Sequence, residues 1–260
     1  MSDLKLGGPL PPCFFRRGGG VVCFTGSGGK TTSILRLARR VRESSTVIIT
    51  TTTRMAVSEA ETENVLLIKD YPALSSPTFL FAAKNLIEAG GVVFLFGDIA
   101  GDKYAGLSPE DISLLRCMKL ASWTLVEADG ASRMPIKGYA EHEPPLPDDF
   151  DYQVVLVGAD ALTTPMNELT SARFEILRRF LGVERNTILT GTLLLRLLTS
   201  PDMYMKNSPP GVKRILCINK TDLITPDALA PWLTYLRSNL SQYHGILTTG
   251  RNGETFYELG

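Results

Sequence analysis

The sequence predicts an α/β fold, a mostly parallel sheet covered by helices on both faces. Three observations carry this. Short, unbroken apolar runs recur along the 260 residues, helix-patterned segments alternate with them, and the first run leads directly into the glycine-rich stretch Gly26-Ser27-Gly28-Gly29-Lys30-Thr31-Thr32. Strands buried on both faces read as continuous apolar runs rather than alternating ones. Strand–helix alternation is the pattern of a parallel, doubly wound sheet.

The apolar, β-branched runs place strands at 20–25, 46–50, 64–68, 91–96, 122–127, 152–157 and 212–218. Helices are expected between them. The segment 32–42 puts Ile34, Leu35, Ala38 and Val41 on one face. The segments 75–89, 168–181 and 225–240 have the same periodicity. The helix at 108–119 opens with Ser108-Pro109-Glu110-Asp111, a cap residue followed by proline in the first turn and acids beside the helix N-terminus. The stretch 133–150 interrupts the rhythm. Pro135, Pro144, Pro145 and Pro147 exclude a helix there, and a long ordered loop in a compact domain is often functional. Residues 1–260 are read as one domain, with a smaller lobe or insertion at about 160–210.

Composition bounds the partners. Lys and Arg number 27, Asp and Glu number 27, and the formal net charge is zero. Nucleic acid and anionic membrane are therefore not expected, since both call for a basic excess. The segment from Met1 to Pro12 is polar and proline-rich, without the apolar centre of a signal peptide. No apolar run approaches the roughly 20 residues of a membrane span. Cys13, Cys23, Cys117 and Cys217 are far apart and form no Cys-x-x-Cys pair. Cys23 and Cys217 lie within apolar runs and are expected to be buried thiols. These features point to the cytoplasm.

The glycine stretch sits between a strand and a helix, the context in which such a loop cradles phosphate. Glycines let backbone N–H groups converge, and the helix N-terminus adds its positive end. Lys30 is expected on the β- and γ-phosphates and the Thr31 hydroxyl on Mg²⁺. The full pattern G-x-x-x-x-G-K-[ST] asks for glycine at position 24, where this chain has Phe24. What remains is the shortened form G-x-x-G-K-T from Gly26. The alternative is a glycine-rich turn holding a lysine of no special role.

A Mg²⁺–triphosphate site usually takes an acid from the end of a neighbouring strand. Leu125-Val126-Glu127-Ala128-Asp129-Gly130 and Phe94-Leu95-Phe96-Gly97-Asp98 both qualify. The first is preferred because strand alternation puts Glu127 and Asp129 on one side. Asp129 is expected to hold Mg²⁺ and Glu127 to orient the attacking water, whereas Asp98 also reads as an ordinary turn. Thr50-Thr51-Thr52-Thr53-Arg54-Met55 follows the second strand. Thr52 and Arg54 suit phosphate oxygens, or the run is a β-favouring segment with a cap.

Asn219-Lys220-Thr221-Asp222 follows an apolar strand and fits N-K-x-D, in which Asp222 accepts from guanine N1–H and the exocyclic amine while the Lys220 stem covers the ring. The alternative is a polar strand-to-helix turn. In Glu141-His142-Glu143, His142 reads as a solvated or substrate-contacting loop residue rather than a metal ligand. Arg133 and Lys137 point to an anionic substrate or the γ-phosphate, or else to a solvated loop.

These motifs together resemble the YqeC family of selenium-dependent molybdenum hydroxylase accessory proteins. The resemblance rests on 26–32, on 50–55, on Val126-Glu127-Ala128-Asp129-Gly130-Ala131-Ser132-Arg133, on Pro135-Ile136-Lys137, on Glu141-His142-Glu143-Pro144 and on 219–222. The family pattern carries a His-Arg pair where this chain reads Ser171-Ala172-Arg173-Phe174-Glu175; Arg173 is kept as a candidate substrate contact and the histidine is absent. The implied role is maturation of molybdenum enzymes, with a molybdenum hydroxylase or its cofactor-assembly proteins as partner. The shortened loop is also similar to that of Mur ligases, whose central domain is an ATP site. Three readings follow: a Mg²⁺-dependent NTPase favouring GTP over ATP, an ATP-dependent ligase or small-molecule kinase, and a non-catalytic nucleotide-gated chaperone.

Overall fold

The computed structural model describes residues 18–60, 64–130, 133–251 and 253–259. The segment from Met1 to Pro12, Cys13, and the Ala131-Ser132 part of the acidic motif lie outside the described residues. In chain order the strands and helices are β1 (Gly20–Gly26), α1 (Lys30–Val41), β2 (Val47–Thr51), β3 (Arg54–Ala56), β4 (Val65–Leu67), α2 (Pro77–Gly90), β5 (Val92–Phe96), β6 (Asp98–Ala100), β7 (Lys103–Ala105), α3 (Pro109–Met118), β8 (Trp123–Glu127), β9 (Ile136–Lys137), β10 (Tyr152–Gly158), β11 (Ser171–Ala172), α4 (Phe174–Leu181), α5 (Gly191–Thr199), β12 (Lys213–Asn219), α6 (Pro226–Asn239), β13 (Gly245–Gly250) and β14 (Gly253–Glu258).

Nine strands form one sheet in the order β14-β13-β12-β10-β1-β8-β2-β5-β4. All its neighbours run parallel except the β13–β14 hairpin at one edge. The chain leaves β1 for β2, β4 and β5 on one side, returns to insert β8 beside β1, and then crosses to β10, β12 and β13 on the other. The order therefore reverses around β1, and in open α/β sheets such a reversal opens a crevice at the carboxyl ends of the strands.

The continuous apolar runs behave as the physics requires. In β1, Val22 and Phe24 enter one buried cluster with Ile34 and Leu37 of α1, while Val21 and Cys23 face another with Phe79 of α2 and Ile112 of α3. In β10, Val154 and Leu156 join the first cluster, whereas Val155 and Val157 pack with Leu177 of α4, Leu197 of α5 and Leu236 of α6. Both faces are thus covered, α1 on one and α2 to α6 on the opposite one. The small antiparallel sheet β3-β7-β6 lends Met55 and Tyr104 to the α1 face. Cys23 and Cys217 are buried thiols, as their apolar surroundings predict.

The seven expected strands are present within two residues of their predicted bounds. The helix start at Ser108 carries a full capping box with Asp111. One expectation is corrected. The helix predicted over 168–181 begins at Phe174, because Ser171 and Ala172 pair with Ile136 and Lys137 as a short parallel ladder and Arg173 takes the left-handed conformation. The sequence reading also passed over α5 and the β13–β14 hairpin. Residues of the 160–210 segment, including Leu177 and Leu197, share their buried cluster with sheet residues Val155 and Ile218.

Candidate functional site

β1 ends in Gly26, and a left-handed turn through Gly28 and Gly29 delivers the chain to α1. Glycine is required here on two counts. Gly26 has φ +85° and a Cβ on it would lie 2.3 Å from the Leu156 carbonyl oxygen; Gly28 has φ +94° and its Cβ would meet Gly158 N at 2.4 Å. The loop thus packs against the end of β10 with its backbone in a form other residues resist. No side chain caps α1, and its first turn holds no acid, so the first-turn N–H groups and the helix dipole stay available to an anion.

Beneath this loop lies a chain of buried charge. Lys30 Nζ donates to the Gly26 carbonyl at 2.8 Å and lies 2.8 Å from Asp129 Oδ1. Asp129 is fully buried; its Oδ2 accepts from Gly26 N–H at 2.9 Å, and its Oδ1 has the ion pair but no aligned hydrogen bond. The Tyr139 hydroxyl also accepts from Gly26 N–H, at 2.8 Å, and burial pushes this phenol far above its ordinary range. Lys137, equally buried, stands 3.7 Å from Asp129 Oδ2, donates to the Gly130 carbonyl at 2.5 Å and reaches Glu143 at 3.4 Å. Burial holds its ammonium below the usual lysine range, against the pull of Asp129 and Glu143. Glu143 is held in turn by Arg173 at 2.8 Å. Lys30, Lys137 and Arg173 thus thread between the carboxylates of Asp129 and Glu143, with the Glu127 carboxyl adjoining Lys30.

Glu127 ends β8 beside this chain and accepts from the Thr31 hydroxyl at 2.7 Å. Burial raises its carboxyl above the ordinary range, and Lys30 and the Thr31 hydrogen bond oppose that rise. Glu59 approaches the same hydroxyl at 3.5 Å and pairs loosely with exposed Arg133 at 3.7 Å. At the end of β2, Thr51 Oγ1 and Thr52 N–H both donate to the Glu127 carbonyl. The buried hydroxyls of Thr50 and Thr52 have no partner. Across the loop, Asn219 Nδ2 donates to the Gly28 carbonyl at 2.9 Å, and Asp222 accepts from Arg251 N–H at 3.1 Å.

The structure therefore gathers most of the predicted residues and redistributes them. Lys30, Thr31, Glu127 and Asn219 contact the glycine loop or one another there, and Asp129, Lys137 and Arg173 form the charge chain behind it. Ser27 is turned into the protein, its hydroxyl donating to the Met134 carbonyl. The sequence reading put Asp129 on the metal and Glu127 on the attacking water; in the fold Asp129 underlies Lys30, and Glu127 is the acid at Thr31. β8 stops at Glu127 and Asp129 lies beyond it, yet both acids reach the loop, Asp129 at Lys30 and Glu127 at Thr31. Thr32 is on α1, Arg54 is exposed on β3, and Lys220 reaches Asp160 at only 4.0 Å. His142 is exposed, and Asp98 pairs with Lys69 at 2.5 Å, away from Thr31. Sequence reasoning missed Glu59 and Tyr139. Tyr139 had a weak signal, its period-two spacing from Lys137; Glu59 had none.

Comparison with known proteins covers the same ground. The family model described as YqeC protein matches residues 22–175, more than half of the chain. Among curated proteins, the uncharacterized protein YqeC of Escherichia coli (strain K12) is 29% identical over 118 residues. That alignment takes in 45% of this chain and 46% of the relative, so the chain spans about half the length of the curated relative it matches. The family match includes the glycine loop, Glu127, Asp129, Lys137 and Arg173, and stops short of Asn219. On that match the chain belongs to the YqeC family.

Proposed function

We propose that this chain is a Mg²⁺-dependent nucleotide-binding protein of the P-loop NTPase type. It hydrolyses a nucleoside triphosphate, GTP in preference to ATP, and in the cytoplasm it assists maturation of a selenium-dependent molybdenum hydroxylase. The observation that carries the reading is the strand–glycine loop–helix unit in which Lys30 folds back onto Gly26 and Asp129 while Thr31 meets Glu127.

Lys30 exchanges the Gly26 carbonyl for the β- and γ-phosphate oxygens, and Asp129 keeps its ammonium aimed into the loop. Backbone N–H groups of the loop and of α1 take the remaining oxygens. The hydroxyl of Thr31 and the carboxylate of Glu127 are hard oxygen donors that fit Mg²⁺, which needs few protein ligands when phosphates supply the rest. No cluster of three or more His, Cys, Asp or Glu built to hold a metal alone occurs among the described residues. The ion supplies neutralisation of the charge that develops on the phosphate oxygens. The second carboxylate oxygen of Glu127 would orient the attacking water and take its proton, as the bond from the γ-phosphorus to the β–γ bridging oxygen breaks and the nucleoside diphosphate leaves.

A second reading, an ATP-dependent ligase or small-molecule kinase, is favoured by one observation. Lys137 and Arg173 bring two cations to the Asp129 side of the loop, where an anionic acceptor would lie. Multiple-turnover phosphate release separates the readings. Hydrolysis predicts release from GTP and Mg²⁺ without an acceptor, abolished in Lys30→Ala. Release that requires an added acceptor supports the ligase or kinase, and none beyond one equivalent leaves a nucleotide-gated chaperone.

A further inference from the structure

The carboxyl end of β13 carries a construction that neither the family match nor the reading of Asn219–Asp222 assigns. Each of two residues there is tied to the turn after β12. Thr249 Oγ1 donates to Asn219 Oδ1 at 2.5 Å, and the Thr249 carbonyl accepts from Thr221 Oγ1 at 3.1 Å. Arg251 N–H donates to Asp222 Oδ1 at 3.1 Å, with its Nε 3.7 Å from Oδ2. Gly250 lies between them. A Cβ there would stand 2.7 Å from Thr221 Oγ1 and 3.0 Å from Asp222 Oδ1, so the close approach of the two turns depends on glycine. The far side of the Asn219 amide holds the Gly28 carbonyl. The two turns are one unit, joined to the phosphate loop through a single side chain.

At the open side of this unit a donor and an acceptor stand together. The Arg251 N–H and the Asp222 carboxylate satisfy each other, and the arginine side chain is 90% exposed. A ligand edge that presents an acceptor beside a donor replaces that bond with two. A 6-oxopurine has this edge: O6 accepts, and N1–H donates. Guanine adds an amino group at C2, a second donor for the second carboxylate oxygen. Adenine reverses both polarities, with an amino donor at C6 and an acceptor at N1, and would leave both protein groups unpaired.

We propose that Gly250 and Arg251 form the second half of the base site. Arg251 N–H binds O6 of a 6-oxopurine, Asp222 binds N1–H and the C2 amino group, and Gly250 sets the distance between them. The inference rests on the nucleotide reading of the phosphate loop and adds the residues that choose the base.

The test is calorimetric titration of the whole protein with GTP, ITP, ATP and inorganic tripolyphosphate in Mg²⁺. ITP, lacking one hydrogen bond to a charged group, should bind about tenfold more weakly than GTP, and ATP roughly a hundredfold more weakly. Gly250→Val should bring GTP down to the affinity of ATP and leave tripolyphosphate unchanged. Asp222→Asn should reverse the preference, binding XTP more tightly than GTP, because the amide can donate to the xanthine O2; a merely structural residue would not do this. Equal affinity of the wild type for ATP and GTP overturns the proposal while leaving the phosphate reading intact, as does a Gly250→Val loss shared by tripolyphosphate, or an Asp222→Asn variant that still prefers GTP. If tripolyphosphate and every nucleotide fail to bind, both readings fall.

Discussion

At the phosphate end of the crevice, Lys30, Asp129, Lys137 and Glu143 touch one another out of water, with Arg173 closing the chain at its half-exposed end. At the base end, the 219–222 and 249–251 turns meet through hydroxyls, one amide and backbone groups, and the charged pair there is a loose one to an exposed arginine. The difference sets what each end can do. Buried charge is tolerable only when it is matched, so the phosphate end is held to one geometry and punishes any unbalancing. Neutral hydrogen bonds are individually weaker than buried charge pairs, and the Asp222–Arg251 contact lies at the exposed side, so the base end can exchange that partner at little cost.

Asp129→Ala should break that contrast most severely. It leaves Lys30 and Lys137 buried beside each other, and removing one member of a buried charge pair typically costs about 3–5 kcal/mol. Urea unfolding would show it, and nucleotide binding should disappear as Lys30 loses its anchor. Asn219→Ala tests the joint between the ends. It strips partners from the Gly28 carbonyl and the Thr249 hydroxyl, so roughly 1–3 kcal/mol of stability should be lost. Tripolyphosphate affinity should fall along with GTP affinity, unlike the base-end variants.

Glu127→Gln sharpens the comparison through pH. The folded carboxyl of Glu127 is raised, chiefly by burial, so the folded state holds the proton more tightly than the unfolded one. Its stabilising contribution is full below the ordinary carboxylate range and is lost as pH rises through the raised folded value. Glutamine removes that loss. Wild type and variant should therefore match at low pH, and the variant should become the more stable of the two as pH rises to neutrality. Denaturant midpoints measured from acid to neutral pH check this, and Mg²⁺-dependent binding should weaken in the same variant. The smallest effect is expected from Arg251→Ala. It removes the exposed partner of Asp222 but keeps the backbone N–H, so stability should change by less than about 0.5 kcal/mol, and GTP affinity should hold or rise.

How much of this was readable beforehand follows the range of the physics. β1, the glycine loop and α1 are local: an apolar run, four glycine and lysine positions and a periodic helix specify them without help. So is the capped start at Ser108. The start of α4 is not local, because Ser171 and Ala172 satisfy a ladder with residues some thirty-five positions earlier, and helical periodicity carries no trace of that partner. β13 is buried and paired on both sides, but it contains only one short apolar pair followed by threonines, too little of an apolar run to read. Within the site, acid at the strand end was visible, but which acid faces Thr31 depends on where β8 stops. Glu59 and Tyr139 come from distant loops and owe their positions to tertiary packing alone.

The central claim is that the glycine loop, through Lys30, binds the phosphates of a nucleotide. Calorimetric titration of GTP into the wild type and into Lys30→Ala, each with Mg²⁺ and again with chelator, tests it most directly. The account predicts saturable, one-to-one binding in the wild type, weakened by chelator and absent from a Lys30→Ala variant whose circular dichroism shows it folded. Equal binding by that variant, or no heat of binding in the wild type, would contradict it.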